Sequence, residues 1–147
     1  MRSNRETSLK LFVVLSRAAT AVERLSEADI ARHGLSPGEF AVLEVLYHRG
    51  PLLLGEVQRK ILASSGGVTY LVDRLEKQGY VERQDCATDR RARYAALTPK
   101  GRRLLDTIFP EHAQAIHRAV AGLTMDEKRQ AIALLRKLGT YAAEHAE

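Results

Sequence analysis

Residues 64–103, SSGGVTYLVDRLEKQGYVERQDCATDRRARYAALTPKGRR, decide how this chain folds. They read as an amphipathic helix, a short strand, a loop carrying Asp89, Arg90, Arg91 and Arg93, a second strand, and the start of another helix. A helix followed by a basic β-ribbon is the arrangement by which a winged helix-turn-helix grips a duplex. Charge follows the same segment. Between Arg83 and Arg103 there are seven Lys and Arg against two Asp, a net of +5. The whole chain, with 23 basic and 18 acidic residues, is also +5, so the remainder is balanced. The excess positive charge is one localised footprint, suited to a phosphate backbone.

Composition sets the frame. The 147 residues suit one domain, and 45% hydrophobic with 28% charged residues is enough to bury a core. Aromatic residues make up 5% and Trp is absent, which leaves few stacking platforms for single strands or RNA. The single cysteine, Cys86, excludes an internal disulfide and fits a reducing compartment. The apolar run Leu11–Leu15 is broken by Arg17, too short for a signal peptide or a membrane span, so a cytoplasmic protein with no membrane partner is expected.

Along the chain, Leu9, Phe12, Val13, Ser16, Ala19, Val22 and Leu25 recur at helical spacing, predicting a first helix that ends near His33-Gly34. Ser36-Pro37-Gly38-Glu39 supplies an N-cap, an N1 proline and a capping-box acid for a second helix, which Gly50-Pro51 stops. A short third helix is predicted over 56–62, and a fourth over 65–78 with Ser64 or Ser65 as cap and Gly79 as stop. Strands are predicted over 80–84 and 92–97. Thr98-Pro99 opens a fifth helix to about Gly122, which Pro110 should kink or split near Phe109. Thr124-Met125-Asp126-Glu127 caps a sixth carrying Ile132, Leu135, Leu138 and Tyr141. The order ααααββαα is mainly α (α+β), with no repeat and one domain over 1–147. Residues 36–98 would be the winged helix-turn-helix. Helices in 1–34 and 99–147 have broader apolar faces than that unit needs, which favours a homodimer built from both chain ends.

The segments LVDRLEKQGYVER and DRRARYAALTPKGRRLLD resemble the winged helix of the MarR family of bacterial transcriptional regulators, and the similarity covers nearly the whole chain. Within that family, LFVVLSRA, SPGEFAVLEVLYHRGP and IFPEH are similar to a subgroup that responds to quinones and hydroquinones. The resemblance implies a recognition helix that enters the major groove with Ser64, Ser65, Gly66, Gly67, Thr69 and Tyr70, while Arg74 reaches the backbone or a guanine. It implies that Asp73 pairs with Arg83, ten residues on, to set the angle between helix and wing. An ordinary pairing of Asp73 with Lys77, four residues on, is the plainer alternative. In the wing, the resemblance implies that Asp89-Arg90-Arg91 sends Arg91 into the minor groove, with Arg90 and Arg93 adding phosphate contacts. The implied partner is double-stranded DNA with a palindromic operator, bound by a homodimer.

Family regulators usually hold a small phenolic or aromatic molecule between the dimerising helices and the winged helix. Phe40 and Glu44, four apart, share a face of the second helix; Phe12 lies in the stripe of the first, and His112 follows Pro110. Two phenyl walls, a carboxylate and an imidazole suit a planar dihydroxy ring, with Tyr47 as a fifth wall. The competing view makes Phe12 and Phe40 plain core and leaves Glu44 exposed. Cys86 offers a second switch, a thiol activated by Arg83 and Arg90, although sensing cysteines in the family typically lie near the N-terminus.

Catalysis finds no support: there is no phosphate loop and no nucleophile motif, and the five histidines are scattered. His112 and His117 are five apart, off the spacing that puts two metal ligands on one helix face, and no cofactor is indicated. A winged helix used as a protein-interaction module would carry an apolar or acidic wing, and Arg90, Arg91 and Arg93 argue against it.

Overall fold

A computed structural model describes residues 3–61 and 65–146. Helix α1 spans Asn4–Arg32, α2 Pro37–Arg49, α3 Leu54–Ile61, α4 Ser65–Lys77, α5 Pro99–Ala119 and α6 Met125–Glu144. Three strands, β1 (Leu52–Leu53), β2 (Val81–Asp85) and β3 (Arg93–Leu97), form an antiparallel sheet in the order β1-β3-β2. The six helices and the β2–β3 ribbon follow the hydrophobic periods and stop signals of the sequence.

The caps show why the helices start where they do. Ser36 Oγ accepts the Glu39 N–H at 3.1 Å while the Glu39 carboxylate accepts the Ser36 N–H at 3.2 Å. Thr124 and Glu127 repeat the exchange at 3.2 and 2.9 Å, and Ser3 with Glu6 makes a third such box. Thr98 caps α5 ahead of Pro99. Gly79, at φ 81°, turns the chain out of α4 in a conformation that glycine adopts without strain.

Two features depart from the sequence reading. Strand β1 was not anticipated: Leu52 and Leu53 pair with Ala95 and Tyr94, too short a segment to show a period of its own. Pro110 does not split α5, which runs unbroken from Pro99 to Ala119 and stops short of Gly122. Leu105, Ile108 and His112 are buried on one side of that helix, while Pro110 is exposed. Packing on both sides of the missing backbone bond holds the helix together.

The core gathers Phe40, Leu43 and Leu46 of α2, Val68, Val72 and Leu75 of α4, Val81 and Ala95 of the sheet, and Leu105 and Ile108 of α5. Helix α1 adds only Ile30 to it, and Asp29 is the one other α1 residue buried. No residue of α6 is buried. The winged unit therefore has its own core, and both terminal helices leave apolar faces uncovered.

Candidate nucleic-acid interface and ligand cavity

Helix α4 and the β2–β3 wing border one groove. Ser64 lies outside the described residues, and Ser65, Gly66 and Gly67 form the first turn of α4. Thr69, Tyr70 and Arg74 are exposed on the same helix. Arg74 Nη1 donates to the Tyr70 hydroxyl at 3.4 Å, and its Nε stands 3.9 Å from Glu39 Oε2. Glu39 is 4% exposed, so the cap of α2 also leashes an arginine of α4. Sequence reading assigned Glu39 the first of these roles and missed the second.

Arg83 joins helix to wing. Its guanidinium donates to Asp73 at 2.7 Å and to Glu76 at 3.0 Å, and no ion pair between Asp73 and Lys77 occurs among the described residues. Burial works against the charge on Arg83, but the hydrogen bonds to Asp73 and Glu76 outweigh it and raise its pKa further. At the wing tip, Asp89 Oδ1 accepts the backbone N–H of Arg91 at 2.9 Å, an Asx-type turn. The aspartate of this Asp-x-Arg thus shapes the backbone that presents Arg91. Arg90 and Arg91 are exposed, and Arg93 pairs across the ribbon with Asp85 at 2.9 Å. Between α3, α4 and the wing lies an open groove of about 550 Å³, lined by Arg59, Arg83, Arg91 and Arg93 with Glu56 and Thr69. Arg59 was not singled out from the sequence, since its place opposite the wing depends on tertiary packing.

On the other side of α2, an open cavity of about 320 Å³ is lined by Glu23, Ser26, Glu27 and Ile30 of α1, Pro37, Phe40, Ala41 and Glu44 at α2, and His112 of α5. It brings together three of the five candidate ligand residues. The Phe40 and His112 rings stand 4.5 Å apart at 54°, and the Glu44 side chain is 41% exposed with His48 at 3.9 Å. Phe12 does not reach this cavity: it is 67% exposed, farther up α1. Tyr47 does not line it either, because its hydroxyl donates to Asp106 of α5 at 2.6 Å and its ring packs on Phe109. That hydrogen bond holds the Tyr47 phenol above its ordinary pKa. Asp29, absent from the sequence candidates, accepts from His112 Nδ1 at 3.0 Å, and only tertiary structure shows a pair separated by 83 positions.

Cys86 lies at the ribbon end, half-buried, with Sγ 3.3 Å from Thr88 Oγ1. Hydrogen bonds from the Thr88 side chain and backbone lower its pKa, and the expected cause, Arg83 and Arg90, is not the operative one. No cluster of three or more potential metal ligands occurs among the described residues, and no helix among them is long and apolar enough to cross a membrane.

A family model described as MarR family matches residues 33–92, the winged unit and its approach. Over 93% of this chain and 89% of its own length, the HTH-type transcriptional regulator YkoM of Bacillus subtilis is 44% identical. The chain belongs to the MarR family. A second relative, the HTH-type transcriptional regulator MhqR of Bacillus subtilis, is 43% identical over 95% of this chain and 96% of its own. Among solved structures, the MarR regulator Sco3205 of Streptomyces coelicolor in complex with DNA superposes with a TM-score of 0.84 at 24% identity, covering 100% of this chain and 96% of that one. BpsR of Bordetella bronchiseptica, whose DNA binding is regulated by 6-hydroxynicotinic acid, has a TM-score of 0.78 at 25% identity, covering 88% and 98%. This MarR-family chain is a DNA-binding transcriptional regulator, and its relatives are regulators, not enzymes.

Proposed function

We propose that this MarR-family regulator is a homodimeric repressor released from a palindromic operator by a small, single-ring aromatic ligand, phenolic or quinone-like. The observation that carries the reading is the cavity of Phe40, Glu44 and His112, set where α1 and α5 meet the winged unit. A ligand there touches the elements that fix the spacing between two recognition helices. Two such helices match successive major grooves only at a separation of about 34–36 Å. Ligand releases DNA if it prefers a conformer with another spacing, and a differential of about 1–3 kcal/mol suffices for a useful response. Regulation of BpsR by one aromatic ring is consistent with this size of effector.

Fluorescence anisotropy with the protein's own upstream intergenic DNA tests the proposal, run with hydroquinone under reducing conditions and then with peroxide. Hydroquinone should release the DNA with no thiol chemistry, and Glu44→Ala should keep operator affinity while losing the response. Undiminished sensitivity in Glu44→Ala would remove the cavity from consideration. Release only by oxidant, reversed by reductant, would move the switch to Cys86, whose lowered thiol pKa favours that chemistry.

A further inference from the structure

The cavity has a chemical polarity that its outline does not reveal. Asp29 is 4% exposed and His112 7%, and their hydrogen bond joins α1 to α5 inside the protein. A carboxylate only accepts, so the shared proton sits on His112 Nδ1. Asp29 has further polar neighbours: Arg32 Nη1 at 3.8 Å and His33 Nε2 at 3.7 Å, the latter also 3.5 Å from Glu111. Phe40 covers the imidazole at 4.5 Å, which resists a ring flip. Among the described residues nothing hydrogen-bonds His112 Nε2, the polar atom left to the cavity wall. The rest of that wall has one sign. Glu23, Glu27 and Glu44 line it, with no Lys or Arg.

We propose that Asp29 determines the ligand class of the cavity, by fixing His112 as a hydrogen-bond acceptor alongside Glu44 so that the site takes uncharged aromatic rings bearing hydroxyl donors. This rests on the reading of the cavity as the effector site and narrows its ligand from phenolic or quinone-like to phenolic. Aromatic carboxylates meet three glutamates with no countercharge, and rings carrying only acceptors, such as quinones or aryl ethers, find no donor to satisfy. The volume, about 320 Å³, is ample for one ring, given that a cavity of about 150 Å³ holds benzene. The site thereby separates the reduced diol from the oxidised dione of the same skeleton. Asp29 does not touch the ligand; it is a positioning residue.

Nitrogen-15 NMR of histidine-labelled protein at neutral pH reads the tautomer directly. His112 should show a protonated Nδ1 and a bare Nε2; the opposite tautomer, or a doubly protonated ring, overturns the proposal. Calorimetric titration of the full chain under reducing conditions then compares hydroquinone, 1,4-dimethoxybenzene and 6-hydroxynicotinic acid. Hydroquinone should bind at least about tenfold more tightly than either of the others, the loss expected when a buried acceptor is left unpaired or an anion is unmatched. In Asp29→Asn the discrimination against the dimethoxy compound should shrink, because an amide holds either tautomer, while rejection of the acid persists. Equal affinity for all three ligands defeats the donor rule yet leaves the cavity as an effector site. Binding of none defeats both.

Discussion

Arg91 and Gly101 show how single residues of the wing motif divide the work. Arg91 is exposed at the wing tip on a turn set by Asp89, and its guanidinium has no ion-pair partner among the described residues, whereas Arg93 is tied to Asp85. Arg91→Ala should therefore weaken operator binding by about tenfold or more and lower the slope of log affinity against log salt by about one, with Arg93→Ala milder. Anisotropy titrations at several salt concentrations check both. An unchanged slope in Arg91→Ala would show that this arginine does not meet DNA. Gly101 serves packing: a methyl group there would collide with the carbonyl oxygen of Tyr80, where α5 leaves the ribbon. The carbonyl is backbone and already accepts the Thr98 N–H, so it cannot swing aside. Gly101→Ala should lose about 1–3 kcal/mol in urea unfolding, the usual penalty of overpacking.

At the scale of elements, what could be read early was what is local. The boxes at Ser36–Glu39 and Thr124–Glu127 were visible as four-residue patterns, and their hydrogen bonds close as written. They also carry a pH signature. The Thr124 backbone and hydroxyl hydrogen bonds hold Glu127 below the ordinary carboxylate range. A depressed folded-state pKa contributes stability that is present above the unfolded value, about 4.3, and lost as pH falls through the folded one. The Tm gap between wild type and Glu127→Ala should accordingly be open at pH 7 and narrow toward pH 3; a gap constant across that range would mean that the charge contributes nothing. Distance in sequence hid the rest. Strand β1 exists only because β3 offers it an edge, Arg59 reaches the wing groove only through the packing of α3, and the Asp29–His112 pair bridges α1 and α5 across 83 positions. Phe12 erred the other way: its place in an apolar stripe was legible, but that stripe continues past the winged unit and leaves the ring uncovered.

The uncovered stripes matter most for the whole molecule. Ile132, Leu135 and Tyr141 of α6 are 55%, 49% and 64% exposed, and Leu9 and Leu25 of α1 are 63% and 55% exposed. Contiguous apolar surface of this kind marks an interaction site on a folded protein, and a helix with no buried residue gains little from the chain that carries it. The proposed second copy would supply what is missing, since one isologous interface would cover both stripes at once. Analytical ultracentrifugation should then find the protein at twice its 16.4 kDa chain mass, with a thermal midpoint that rises with concentration. Leu135→Asp combined with Leu138→Asp should yield monomers whose winged unit stays folded, because neither side chain belongs to the core. Linked recognition helices gain from effective concentration, so these monomers should lose about 10²–10⁴-fold in operator affinity and roughly half the salt slope. A wild-type protein that sediments as a monomer and still binds its operator tightly would sink the dimer. It would also remove the helix spacing through which a ligand in the α1–α2–α5 cavity is proposed to act.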